Sequence, residues 1–313
     1  MTLYYINQGS GLWNDGMNWF QDQSGTIPNG AVPTGSDDCE INVGNTVDEI
    51  PSGGNYSTVI NYGTVTTNNG TANVTNASGG IITTNSQLVD SNSGTVTTNN
   101  STVSTNSGTV TTNSSGASVV TNASGGIVTT NDGTVTTNQS GGTVSTNNAT
   151  VTTNASGGIV ATNNLTVTTN DGTVTTNASG GNIYTNNGTI TTNASGATVD
   201  TNQGTVTTNN SGGTVTTNTS IVTTNSGLIS TNGGTVTTNA SGGSISTNNA
   251  TVTTNASGGN VSNNYGTVTT NNGTVQLIGN IGGGTGSITA TSSFNISGMT
   301  AGTNVTFPLP RVW

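Results

Sequence analysis

The feature that most constrains this chain is a five-residue unit, Thr-Val-Thr-Thr-Asn, which recurs from about residue 63 to residue 272. Short linkers such as Asp-Gly place successive unit-final asparagines seven residues apart, as from Asn131 to Asn138. Longer linkers such as Gln-Ser-Gly-Gly place them nine apart, as from Asn138 to Asn147. Self-similarity at a nearly fixed period indicates stacked repeats, because each unit is too small to bury a face alone.

The residue types of the unit predict strands. Thr and Val favour β structure, whereas Thr, Val, Asn and Gly are all poor helix formers. Because side chains alternate along a strand, we expect Val65 to point inward, Thr64 and Thr66 outward, and Thr67 inward near the corner. Asn68 is expected at the bend, followed by a glycine with positive φ. Stacking in register would give a valine ladder and an asparagine ladder whose amides donate and accept along the stack, with further members at Val135, Asn138, Val174 and Asn177.

The order of the linkers predicts the cross-section of the coil. From Asn138 to Asn170 the steps alternate nine, seven, nine and seven residues. This alternation favours an all-β solenoid, a parallel β-roll or β-helix, with two units and 14 to 16 residues per coil and two opposed sheets. A three-sided coil and a disordered Asn-rich chain are the alternatives. The fixed place of valine before Thr-Thr-Asn argues against disorder.

The sequence divides into three parts. Residues 1–60 are predicted to form a small β cap or attachment module, since seven of the eleven acidic residues lie between Asp15 and Glu49 and an open solenoid end needs a cover. Residues 61–280 form the repeat array. Residues 281–313 are predicted to form a short β or extended tail. Its apolar end is interpreted as a docking segment for self-association, comprising Phe307, Leu309, Val312 and Trp313.

Composition excludes several classes of function. Only 4% of residues are charged, there is no histidine or lysine, Arg311 is the sole basic residue, and the net charge is −10. Such a chain cannot neutralise phosphates, so nucleic acids and anionic membrane surfaces are not expected partners. No apolar run approaches 18 residues, and the residues from Met1 to Ile6 lack the pattern of a secretory signal. Without histidine, the usual nucleophilic and zinc sites cannot form, and we expect no catalysis and no cofactor.

Three minor features carry weaker expectations. Asp37, Asp38 and Glu40 form an acidic cluster that could bind Ca²⁺, although capping of a turn is the simpler interpretation. Tyr184 is expected at an outward strand position and Tyr265 at a turn, where tyrosines can contact carbohydrate but are more often neutral. Asn-Ala-Ser triplets match the glycosylation sequon and are interpreted as products of the linker, as at Asn76, Asn122 and Asn154.

Two segments near the N-terminus resemble a known module. They are Gly-Leu-Trp-Asn-Asp-Gly-Met-Asn-Trp-Phe at residues 11–20 and Val-Pro-Thr-Gly-Ser-Asp-Asp-Cys-Glu-Ile at residues 32–41. The pattern is similar to a module that precedes β-solenoid repeats in bacterial surface adhesins and bacteriophage structural proteins, although Cys39 stands where an aliphatic residue is usual. The resemblance implies a fibre on a virion or cell surface. The lack of a signal sequence favours a virion fibre or decoration protein, made in the host cytoplasm, with an adhesin as the alternative.

The repeats also resemble those of β-roll ice-binding proteins, in which outward Thr-x-Thr pairs contact ice. The matching pairs are Thr64/Thr66, Thr95/Thr97, Thr109/Thr111 and Thr134/Thr136. The other interpretation is that threonine is simply the best polar residue for an exposed strand position. Ice binding is therefore a third hypothesis.

Overall fold

The computed structural model describes residues 3–6, 10–28, 30–34, 37–53, 56–277, 280–281, 287–290 and 304–306. Within these residues the regular structure is β, apart from one 3₁₀ turn at Gly16–Asn18. The chain divides into two compact units, residues 1–160 and residues 161–313, and each is described by itself.

The first unit begins with a cap that starts both sheets of the solenoid. Strand β1 pairs in parallel with β4 and antiparallel with β3, while β2 pairs in parallel with β5. Strands β4 and β5 then pair with the first two strands of the repeat array, β6 and β7. The bounds are β1 (Leu3–Ile6), β2 (Ser10–Gly11), β3 (Trp19–Phe20), β4 (Asp38–Ile41), β5 (Thr46–Ile50), β6 (Thr58–Asn61) and β7 (Thr64–Asn68).

In the array of the first unit, each strand pairs in parallel with the next strand but one. Thr134 lies opposite Thr150 and Val135 opposite Val151, for example. The further strands are β8 (Asn73–Asn76), β9 (Ile81–Asn85), β10 (Leu88–Asn92), β11 (Thr95–Asn99), β12 (Thr102–Asn106), β13 (Thr109–Asn113), β14 (Ser118–Asn122), β15 (Ile127–Asn131), β16 (Thr134–Asn138), β17 (Thr143–Asn147) and β18 (Thr150–Asn154); β19 (Ile159–Asn163) spans the division between the units.

The second unit repeats this pairing, again parallel and in register, as where Val174 lies opposite Ile190. Its strands are β20 (Thr166–Asn170), β21 (Thr173–Asn177), β22 (Asn182–Asn186), β23 (Thr189–Asn193), β24 (Thr198–Asn202), β25 (Thr205–Asn209), β26 (Thr214–Asn218), β27 (Ile221–Asn225), β28 (Leu228–Asn232), β29 (Thr235–Asn239), β30 (Ser244–Asn248), β31 (Thr251–Asn255), β32 (Asn260–Asn264), β33 (Thr267–Asn271), β34 (Thr274–Leu277), β35 (Asn280–Ile281), β36 (Ser287–Ala290) and β37 (Asn304–Thr306).

Within the array, from β6 to β34, pairing of a strand with its second neighbour means two strands per coil. The predicted β-solenoid with two units per coil is confirmed, and the three-sided alternative is wrong. Coil length varies more than expected, from 14 residues between Asn85 and Asn99 to 18 between Asn113 and Asn131. The 18-residue coil arises because both of its turns use the longer linker, so each turn accepts two extra residues.

The core follows the predicted valine ladder. Val65, Val135 and Val174 are fully buried, and each stacks on the valine or isoleucine of the next coil. The threonines on either side of each valine remain partly or largely exposed, as at Thr134 and Thr136. The predicted register of the first three residues of the unit is therefore confirmed.

The last two residues of the unit agree with the prediction only in part. Thr67 is half-buried rather than inward. Asn68 ends strand β7 where the chain bends, and it donates to Asn85 in the predicted ladder, but its full burial inside the coil was not expected. Strict alternation fails because Val65 and Asn68, three residues apart, both face the interior. The alternation of side-chain direction is therefore broken before the strand ends. As a result, the asparagine amide lies against the next coil, where it forms hydrogen bonds.

The glycines also differ from the prediction. Among the described residues, positive φ occurs only at glycine, and in the array it occurs at the third residue of the longer linkers, as at Gly79 and Gly141. The glycine of a short linker, such as Gly94, is required for a different reason. A Cβ there would collide with the carbonyl oxygens of Gly80 and Ala77 in the preceding coil. Glycine is required at the short turn because the stacked backbones approach each other closely, and not because φ is positive.

Candidate functional site

The polar side chains inside the coil form hydrogen bonds with one another and with the backbone. Asn138 is a representative ladder residue: its Nδ2 donates to Oδ1 of Asn154 at 2.8 Å and to the carbonyl of Ile159 at 3.0 Å. Its own Oδ1 accepts from Nδ2 of Asn122 at 2.7 Å. Asn177 repeats this pattern in the second unit, donating to Asn193 at 2.8 Å. The described coils therefore present their outer surface, rather than their interior, to other molecules.

The asparagines of the predicted glycosylation sequons belong to the same ladder. Asn76, Asn122 and Asn154, each the first residue of an Asn-Ala-Ser triplet, are fully buried. Nδ2 is the atom that a glycan would modify. In Asn76 and Asn122 it donates to the next ladder asparagine, at 2.7 Å in both cases, and in Asn154 it donates to the carbonyl of Gly158 at 3.2 Å. In the folded chain, the asparagines of these triplets therefore act as buried, hydrogen-bonded residues of the coil.

The two outer faces of the second unit differ in chemistry. On strands β21, β23, β25, β27, β29, β31 and β33 the central residue is always threonine, and no strand residue is charged; we call this the threonine face, and its central residues are Thr175, Thr191, Thr207, Thr223, Thr237, Thr253 and Thr269. The opposite face is irregular at the same position in strands β20, β22, β24, β26, β28, β30 and β32, with Thr168, Tyr184, Asp200, Thr216, Ser230, Ser246 and Ser262. A uniform, uncharged row is therefore confined to one face.

The predicted threonine pairs and tyrosines lie on the outside. None of the eight threonines in the four pairs of the first unit is buried. Tyr184 is 48% exposed on the irregular face, and Tyr265 is 56% exposed in the turn before β33, as predicted. The two tyrosines lie on different parts of the coil and do not form an aromatic platform.

The acidic cluster does not form a metal site. Asp37 accepts from the backbone N–H of Thr34 at 2.9 Å and from its hydroxyl at 3.0 Å, which is the capping role. Glu40 instead accepts from Nε2 of Gln23 at 2.9 Å. Across the part of the chain that the structure describes, no three acidic or cysteine side chains are grouped so that they could hold a metal ion. Asp37 and Glu40 thus accept separate hydrogen bonds within the cap, whereas Oδ1 of Asp38 is buried without a hydrogen-bond partner among the described residues.

The interior of the cap is built around two tryptophans. Trp13 and Trp19 are fully buried and pack edge to face, with ring centroids 4.7 Å apart. Nε1 of Trp13 donates to the hydroxyl of Tyr56 at 2.8 Å, and Nε1 of Trp19 donates to the carbonyl of Trp13 at 2.8 Å. Burial raises the pKa of the Tyr56 hydroxyl. Tyr56 was not identified from the sequence, because its partner is 43 residues away.

Cys39 belongs to the same interior. It is fully buried, opposite Tyr4 on one side and Val59 on the other. Burial, with the neighbouring carboxylates of Asp37 and Asp38, raises the pKa of its thiol. The cysteine therefore packs in the cap interior as a neutral side chain at neutral pH.

The outer surface of the cap carries two open grooves. One, of about 360 Å³, is lined by Gly11, Leu12, Thr46, Asp48 and Thr66. The other, of about 500 Å³, is lined by Met17, Phe20, Gly25, Thr26, Pro28 and Gly30, and we call it the cap groove. The predicted docking residues Phe307, Leu309, Val312 and Trp313 lie outside the described residues. Within those residues, no helix has the length and apolar character needed to cross a membrane.

No protein-family model, no curated protein and no solved structure matches this chain. The fold alone identifies a β-solenoid repeat protein, and this architecture indicates a structural role.

Proposed function

We propose that this chain is a non-enzymatic structural protein that builds a fibre or decoration on the surface of a virion. The observation that supports this most directly is the asparagine ladder, which closes the coil interior together with the valine ladder and joins each coil to the next by hydrogen bonds. A protein built in this way does its work through its outer surface and its ends.

The composition fits an extracellular structural element. The array has no basic residue and only four acidic ones, so its stability depends little on ion pairs and therefore little on salt. Asparagine ladders and backbone hydrogen bonds run along the stack and give high kinetic stability in comparable arrays. The resemblance of the cap to modules that precede solenoid repeats in phage structural proteins and adhesins supports a surface location.

Fractionation of a producing culture tests the proposal. An antibody against the repeat array should detect the chain in nuclease-resistant particles banded on a density gradient, together with capsid proteins. Detection with washed cell envelopes, and not with particles, would instead support the adhesin. Absence of the chain from both fractions would contradict a surface role of either kind.

Ice binding is a second candidate, favoured by the difference between the two faces of the second unit. The threonine face presents the same side chain in seven successive strands at the coil spacing of about 4.8 Å and carries no charge, so it offers a regular array of hydroxyl and methyl groups.

A matched pair of variants tests this candidate. Thr207→Tyr interrupts the threonine face, whereas Thr216→Tyr makes the same change on the opposite face, where Tyr184 is already accommodated. If the face binds ice, inhibition of ice recrystallisation should be strong in the unaltered protein, lost in Thr207→Tyr and retained in Thr216→Tyr. No inhibition by the unaltered protein, or equal loss in both variants, would refute ice binding.

A further inference from the structure

The cap groove has exposed apolar side chains at its edge. Met17, at its edge, is 79% exposed, and the adjacent Ile27 is 52% exposed. Phe20 is only 3% exposed and forms the floor, held by a backbone bridge to Pro28 on the opposite side. Large exposed apolar side chains next to a groove of this size are typical of a site that another molecule covers.

Two carboxylates are fixed at the border of the groove. Asp15 accepts from the backbone N–H of Met17 at 3.0 Å. Asp22 accepts from the hydroxyl of Thr26 at 2.6 Å and from the N–H of Ile27 at 2.7 Å, and the hydroxyl of Ser24 also donates to it. These hydrogen bonds, with that from Ser24 as the largest, hold the pKa of the Asp22 carboxyl well below its usual range. Asp22 therefore stays ionised at neutral pH.

A partner for this groove should be apolar and extended and should carry a cation. The chain itself contains one such segment, Phe-Pro-Leu-Pro-Arg-Val-Trp at residues 307–313, which holds the only basic residue of the sequence, Arg311. The two prolines favour an extended backbone, which suits an open groove. Since seven of the eleven acidic residues belong to the cap region, the charges of the two ends are complementary.

We propose that the cap groove of one molecule binds residues 307–313 of a second copy, with Arg311 beside Asp15 and Asp22. The inference rests on the fibre of the proposed function, in which copies of the chain must associate, and it specifies the two surfaces that associate. Because the groove and the segment are different surfaces, the contact is heterologous, and repetition of it joins copies head to tail into open chains or closed rings.

Sedimentation velocity of the purified full chain tests the proposal. The unaltered protein should form species larger than the monomer as its concentration rises, and a chain lacking residues 307–313 should sediment as a monomer at every concentration. A synthetic peptide of residues 307–313 should compete with association of the full chain. A full chain that stays monomeric, a truncated chain that still associates, or a peptide that does not compete would each overturn the proposal.

A matched pair of substitutions locates the contact. Met17 and Val43 are equally exposed residues of the cap, at 79% and 78%, but only Met17 lines the groove. Met17→Ser should weaken association about tenfold, since it removes an apolar side chain from the contact, and Val43→Ser should not change it. Equal effects of the two substitutions would show that the groove is not the binding site.

A second pair tests the charge complementarity. Asp22→Asn keeps an oxygen that can accept hydrogen bonds and should weaken association about two- to fivefold, as should Arg311→Ala. Asp90→Asn makes the same change of charge on the array and should have no effect. Equal effects at Asp22 and Asp90 would contradict the contact. Because only purified protein is used, these outcomes do not depend on whether the chain is found in particles.

Discussion

Two side chains of each repeat unit are fully buried, and they stabilise the coil by different means. The valine at the second position contributes apolar burial, whereas the asparagine at the fifth position contributes hydrogen bonds along the stack. A buried amide is favourable only when its donors and acceptor are satisfied. The ladder achieves this because identical amides are repeated at the coil spacing, so an asparagine within the ladder accepts from one neighbour and donates to the next. Asn68 begins its ladder above Ile50, and its Oδ1 has no hydrogen-bond partner among the described residues.

Asn138→Ala tests the ladder. The substitution removes the acceptor of Asn122 and the donor to Asn154, which leaves buried polar atoms unsatisfied on both sides. We expect it to lower the free energy of unfolding by about 2–4 kcal/mol in chemical denaturation. Asn100→Ala, at an exposed turn position, is the control and should cost less than about 0.5 kcal/mol. Similar costs at the two positions would show that the ladder contributes little.

Burial of Cys39 should make the free energy of unfolding depend on pH. Its pKa is raised in the folded state, so above its ordinary value of 9.0 the thiol ionises in the unfolded chain while remaining protonated in the folded chain. The unfolded state then binds fewer protons, and stability falls as pH rises. Between pH 7.5 and pH 9.5 the unaltered protein should lose roughly 1 kcal/mol more stability than Cys39→Val. An equal loss in the two proteins would mean that the thiol is not protected by burial.

Among the structural elements, the turns determine which linker lengths and which glycine substitutions a repeat tolerates. Short and long linkers occur on both sides of the coil, and each contains glycine for its own reason: positive φ at Gly79 and close backbone approach at Gly94. The sequence alone could not separate these reasons. Close approach depends on the stacking of one coil on another, which is a contact between residues far apart in the chain.

Paired substitutions distinguish the two kinds of glycine. At Gly79, where a Cβ would meet open space, asparagine should be less destabilising than alanine, since asparagine tolerates positive φ better. At Gly94, asparagine should destabilise the protein as much as alanine or more. Any Cβ at this position collides with backbone oxygens, and a larger side chain does not relieve the collision. Thermal denaturation of the four variants provides the measurement. The same order at both sites would contradict the assignment.

The sequence was most informative where the repeat is regular. The burial of Val65, Val135 and Val174 and the two-strand coil followed from the position of valine and the order of the linkers. The burial of Asn68 did not, because strict alternation was assumed up to the end of the strand. The Trp13–Tyr56 hydrogen bond and the cap groove were also not predictable, since they join segments of the cap that no local pattern connects.

At the scale of the whole molecule, each unit is a stack in which a repeat contacts only its neighbours, so its sheets propagate from one end to the other. The cap is different, because it holds the buried aromatics of the described residues, most of the acidic residues and the cap groove. The end of such a stack is where a repeat lacks a neighbour, and it is the natural place for a contact with another molecule. The proposed head-to-tail contact is based on this difference between the array and the cap.

In the array, two strands make one coil, so an array strand pairs with its second neighbour. Disulfide trapping in a Cys39→Val background tests it directly. Cysteines at Thr134 and Thr150, which lie opposite each other in β16 and β18, should form a disulfide rapidly under mild oxidation. Cysteines at Thr134 and Thr143, in adjacent strands of opposite sheets, should not, nor should cysteines at Thr134 and Ile159. Rapid trapping of the 134–159 pair would instead show a three-sided coil, and trapping of the 134–143 pair would show a hairpin, and either result would contradict the structure.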